Sequence, residues 1–219
     1  MIVDPHDLRA VLLRTCRDAG IEPGACVVWI VDAACPAGTT PIAYLQPAAE
    51  VKADTVQVFR AVGAARARRF AGSAHRIAVW RGLPWLPKVA LGPMLRHELA
   101  HARRWELSGP SFYAADERLR ALVGAGAYAQ LPTEREANAA ARAYAQAALS
   151  RSDLTELAAV PELAAVLAAA EPPVDVVGET LTLLGEVVEV EQLRLEPYAD
   201  GPLVELVLPT LSDGFAGMR

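Results

Sequence analysis

Apolar positions in residues 7–19 (DLRAVLLRTCRDA) recur at helical spacing, at Leu8, Val11, Leu12 and Cys16, and Gly20 stops the run. ACVVWIV (25–31) is a short β-branched run that predicts a buried strand. Three prolines and Gly38 break 32–54, which reads as loop. Residues 55–71 predict a helix with Val58, Phe59, Val62 and Phe70 inward. HRIAVWRGL (75–83) alternates like a strand near a sheet edge, and a loop follows it. Pro93 then opens a helix that runs to about Leu107 and stops near Gly109-Pro110. Further helices are predicted over 112–123, 134–149 and 153–170, the last notched by Pro161. Thr133 followed three residues later by Glu136 predicts a capping box for the 134–149 helix. After Glu171-Pro172-Pro173, VVEVEQLRLE and LVELVL alternate around a turn at 197–202, which predicts a β-hairpin. TLTLL (180–184) is a candidate third strand. This order predicts an α+β fold, with a main domain over 1–170 and a small acidic β appendage over 174–219.

Composition narrows the class. A chain of 219 residues with 53% hydrophobic residues is long enough to bury a core without disulfides. The mean hydropathy of +0.22 reflects 43 alanines, and no run of about 18 apolar residues is present to span a membrane. The start, MIVDPHDLRA, carries acids where a signal peptide needs a basic, then apolar, segment. Three cysteines (Cys16, Cys26, Cys35) without a C-x-x-C predict reduced thiols, and with them a cytoplasmic protein.

The net charge of −5 argues against a nucleic-acid binder. Its distribution is uneven. Between Arg60 and Arg104 there are ten Lys and Arg against the single acid Glu98, and from Glu171 onward two Arg face ten acids. Such complementarity predicts a basic patch covered by the acidic tail, which would act as a lid.

The chemistry concentrates in His97-Glu98-Leu99-Ala100-His101. Residues i and i+4 lie about 40° apart around a helix, so both imidazoles leave one face and can share a zinc ion. Glu98 leans toward the same site and suits the role of general base on a zinc-bound water. A catalytic zinc needs a third protein ligand. LPTEREANAAARAYA (131–145) offers Glu134 and, second to it, Glu136. Asn138 shares a helix face with Glu134 and could orient a ligand histidine, while Ala141 and Ala145 extend that face with small residues. Tyr113, Tyr128, Tyr144 and His75 are candidates to stabilise an oxyanion, and His6 reads as a surface residue.

The pairing HELAH … E-x-E-A-N-x-x-A resembles the gluzincin metallopeptidases, and most closely the ImmA/IrrE-like minimal gluzincins, over roughly residues 75–146. The resemblance implies His97, His101 and Glu134 as zinc ligands, Glu98 as general base and Asn138 in the orienting role. It also implies a zincin-like core with a small mixed sheet, and strand 76–81 as the edge that pairs with extended substrate. The expected protein is a cytoplasmic bacterial Zn²⁺-dependent peptidase acting on a peptide or protein. The rival expectation is a zincin fold kept as a non-catalytic binding or regulatory module.

Overall fold

The structure is a computed structural model that describes residues 4–34, 43–46, 75–82, 86–161, 163–164, 168 and 171–195. The expected helix over 55–71 and the hairpin strand at 203–208 lie outside these residues, as does Cys35. Helix α1 spans Pro5–Ala19; Asp4 caps it by accepting from the backbone N–H groups of His6 and Asp7 at 2.8 and 3.3 Å. Strands β1 (Cys26–Ala34), β2 (Ala43–Gln46) and β3 (His75–Gly82) follow. Next come α2 (Leu91–Leu122), α3 (Ala125–Tyr128), α4 (Pro132–Ala148), α5 (Arg151–Ala158) and α6 (Val176–Leu195).

The expected α+β class with a C-terminal β-hairpin appendage is corrected by this architecture. Most described residues are helical, and the segment that holds TLTLL and VVEVEQLRL is helix α6. The alternation was real, but a helical period coexists with it. Val176 and Thr180 are buried, and Leu183, Leu184 and Val187 continue the same face half-buried. Packing on α2 and α4 selects that period over the alternating one.

Strand order is β1-β3-β2, with β3 parallel to β1 and antiparallel to β2. The expectation that 76–81 lies at a sheet edge is therefore corrected: β3 is central. Its buried Ile77 and Val79 point into the core. Strand β2 was hidden within the expected loop 32–54 and is an outer strand of this sheet. It also packs against α2.

One core joins Leu8 and Cys16 of α1, Ile77 and Val79 of β3, Leu95, Leu99 and Ala102 of α2, Ala145 of α4 and Leu157 of α5. Cys16 and Cys26 are buried free thiols, and the facing Cys16 together with burial pushes the Cys26 thiol up. Helices α2 and α4 approach closely because Ala137, Ala141 and Ala145 face inward and Gly92 lies beneath the Tyr144 ring. A Cβ on Gly92 would sit 2.5 Å from Tyr144 Cε1. Gly92→Ala is therefore expected to cost about 1–3 kcal/mol, read as a lower melting temperature at unchanged secondary structure. An unshifted melting temperature would show that the ring gives way freely.

The expected capping box is also corrected. Pro132 is the first residue of α4, so Thr133 lies inside the first turn, and Leu131 caps without a side-chain bond. Thr133 donates instead to buried Asp116, and Glu136 accepts two bonds from Arg104. A capping box does form at α5, between Ser150 and Asp153.

Four cations of the basic stretch have described side chains, and each pairs with an acid outside the tail. Lys88 faces Asp7, Arg96 faces Asp18, Arg103 faces Glu106 and Arg104 faces Glu136. The tail contributes Asp175, whose charge acts on Arg104, and Glu179, 3.0 Å from Arg135. Among the described residues no helix is long and apolar enough to cross a membrane.

Candidate metal centre

Helix α2 does not run straight. Gly109 has φ 80° and ψ 176°, outside helical geometry. A continuous helix would carry Arg120 about 28 Å from His101. Instead, Arg120 Nη2 lies 3.5 Å from His101 Nδ1, and Trp105 packs edge-on against Tyr113 at 4.6 Å. The chain reverses at Gly109 into a helical hairpin whose two arms both reach the candidate site.

On the first arm, His97 and His101 project from one face, and Leu95, Leu99 and Ala102 bury the other. The imidazoles meet edge-on with centroids 4.8 Å apart. One turn on, the Trp105 indole stacks on His101 at 6.0 Å. Glu134, in the first turn of α4, lies between the histidines. Its Oε2 is 3.3 Å from His97 Nε2, and its Oε1 is 3.2 Å from His101 Nε2. The two Nε2 atoms are themselves 3.2 Å apart. Among the described residues, His97, His101 and Glu134 form a group of donors close enough to hold one metal ion.

The spacing tests whether zinc fits. Bonds of 2.0–2.1 Å in a tetrahedron place neighbouring ligand atoms about 3.3–3.4 Å apart. The two imidazole nitrogens are 3.2 Å apart, close to that edge length, and each has one of the two Glu134 oxygens within 3.2–3.3 Å. The donor set, two imidazoles and one carboxylate, is one that zinc takes in catalytic sites. Three protein donors leave a fourth position for water or substrate.

The charges of the three donors act strongly on one another. Burial pushes the Glu134 carboxyl up, but the charges and hydrogen bonds of His101, His97 and Arg120 outweigh it and hold it well below the usual carboxylate range. Burial pushes His97 down, and Glu134 with Glu98 overcomes this and raises it. For His101 burial prevails, aided by Arg120 and His97, and its pKa is lowered. Glu98 is half-buried, and its charge acts on both His97 and Tyr128.

The other expected residues divide. Glu136 is held by Arg104, away from the ligand role considered for it. Asn138 is buried one turn beyond Glu134. Among the candidate oxyanion groups, Tyr128 reaches the site, with its hydroxyl 2.5 Å from Arg120 Nη1 and bonded to Glu134. Burial pushes that phenol up. Tyr144 packs over Gly92, Tyr113 against Trp105, and His6 is exposed. His75 opens β3.

Three residues at the site were not anticipated: Asp116, Arg120 and Trp105. Asp116 and Arg120 are an i, i+4 pair, which in sequence has the look of an ordinary exposed helix pair. Here Asp116 is fully buried and the Arg120 side chain is nearly so. Comparison with protein-family models, curated proteins and solved structures finds no match to this chain. The His97/His101/Glu134 arrangement, consistent with an HExxH-type zinc site, therefore stands on its own geometry.

Proposed function

We propose that this chain is a zinc-dependent peptidase of gluzincin type, with the ImmA/IrrE-like pattern of its motifs as the support for the finer family assignment. The observation that carries the reading is the convergence of His97 Nε2, His101 Nε2 and the Glu134 carboxylate, one oxygen 3.3 Å from His97 and the other 3.2 Å from His101, beside a half-buried glutamate on the same helix.

When bound, zinc would supply Lewis acidity, polarising a carbonyl and lowering the pKa of water. The protein's own residues supply the rest. Glu98 takes a proton from the attacking water and returns it to the leaving amine. The Tyr128 hydroxyl, which accepts from Arg120 and lies beside Glu134, is, among the described residues, the one candidate oxyanion group that reaches the ligand residues, where it helps to hold the Glu134 carboxylate. Asn138, buried one turn along α4 from Glu134, is our candidate for orienting a ligand histidine. Because β3 is central, extended substrate would pair along β2, the outer strand packed on α2.

The test is elemental analysis of protein purified without a metal-affinity tag, with His97→Ala alongside and a peptide library as substrate. About one zinc per chain and peptide cleavage, both lost in His97→Ala, are expected. A chain that takes up no zinc, even when supplied with it, would defeat the reading.

A further inference from the structure

We infer that Arg120 is a positioning residue of the metal site, one that clamps Glu134 by its Oε1 and presents the carboxylate to the metal in a single orientation. This rests on the reading of His97, His101 and Glu134 as zinc ligands. Arg120 stands on the second arm of the α2 hairpin, and four of its five N–H groups are directed at acceptors. Nε donates to Asp116 Oδ2 at 2.9 Å. Nη1 donates to Glu134 Oε1 at 2.6 Å and to the Tyr128 hydroxyl at 2.5 Å. Nη2 donates to Thr133 Oγ1 at 2.9 Å and lies 3.5 Å from His101 Nδ1.

The guanidinium is itself held. Asp116 grips Nε with one oxygen and accepts the Thr133 hydroxyl at 2.8 Å with the other. Thr133 immediately precedes Glu134, so the ring of contacts closes on the ligand's own backbone neighbour. A planar donor fixed at three points leaves the carboxylate little rotational freedom. Oε1 accepts a short charge-assisted bond from Arg120 while lying 3.2 Å from His101 Nε2, and Oε2 faces His97. Arg120 also offsets the negative charge of a buried carboxylate, which would otherwise be costly to keep ionised before metal arrives. A merely structural ion pair would need Asp116 alone; the contacts to Glu134, Thr133 and Tyr128 direct the guanidinium at the site.

The test measures zinc affinity by chelator competition, together with the visible absorption of the Co²⁺-substituted protein, in wild type, Arg120→Lys and Thr133→Val. Lysine keeps the charge but loses the planar fork, and valine removes one tether while retaining the volume. Arg120→Lys is expected to weaken zinc binding by about 10–100-fold and to alter the Co²⁺ spectrum. Thr133→Val is expected to shift both in the same direction by a smaller factor, and it carries the test if Arg120→Lys does not fold. Folded variants with wild-type zinc affinity and an unchanged Co²⁺ spectrum would overturn the positioning role. A wild type that binds neither metal would instead overturn the reading of the site itself.

Discussion

Replacing Glu98 by Gln is expected to lower peptide hydrolysis by about 10²–10⁴-fold while zinc content stays at the wild-type level. The separation follows from the geometry. The three converging donors are His97, His101 and Glu134, and Glu98 is not among them. The amide of Gln keeps the size and hydrogen-bonding capacity of the side chain but cannot take up the proton of an attacking water. It also removes a negative charge that acts on His97 and Tyr128. Hydrolysis and zinc content measured on the same preparation decide the matter. Full activity in Glu98→Gln would move the general base elsewhere. A zinc-loaded wild type that cleaves nothing, with a cellular effect that persists in Glu98→Gln, would favour the rival reading of a zincin-like fold kept for binding.

Gly109→Val is expected to damage stability and metal binding together. At φ 80° and ψ 176°, Gly109 occupies a backbone region that is essentially closed to residues with a Cβ. A β-branched residue there adds strain of about 1–3 kcal/mol, with about 2–4 °C of melting temperature lost per kcal/mol in a chain of this size. The alternative is to relieve the strain by opening the hairpin, which withdraws Asp116 and Arg120 from Glu134. Either route should weaken zinc binding as well as lower the melting temperature. A variant that melts earlier yet binds zinc as wild type does would show that the reversal serves folding alone. One that changes neither quantity would show that the backbone at 109 accommodates a side chain.

Much of the local structure could be read from one dimension because its causes are local. Helical spacing of Leu8, Val11, Leu12 and Cys16, capped by Asp4, is enough to outline α1. The β-branched run at 25–31 marks β1, and the alanine-rich stretch at 134–149 marks α4. The zinc motif is legible for the same reason: His97 and His101 are one turn apart, and a single helix brings them together. Glu134 was reachable because small residues on its helix announce a close neighbour.

The failures share one cause, a choice between local options that only packing settles. Residues 180–195 carry both an alternating and a helical pattern, and burial of Val176 and Thr180 against α2 and α4 decides for the helix. Strand β3 alternates like an edge strand, yet β2, drawn from a proline-broken stretch, pairs along its open side. Thr133 and Glu136 have the spacing of a capping box, but buried Asp116 and Arg104 offer them stronger partners.

By itself, then, the amino-acid sequence determined the two histidines and the glutamate beside them, since a helix fixes relations within a turn or two. Tertiary structure decided how the site is completed and held. The reversal at Gly109 brings Arg120 back across 19 residues to within 3.5 Å of His101, and it turns an unremarkable i, i+4 pair into the clamp on Glu134. Contacts between residues so far apart depend on where the chain folds back, and that is set by the backbone geometry of one glycine and the fit of the packed helices around it.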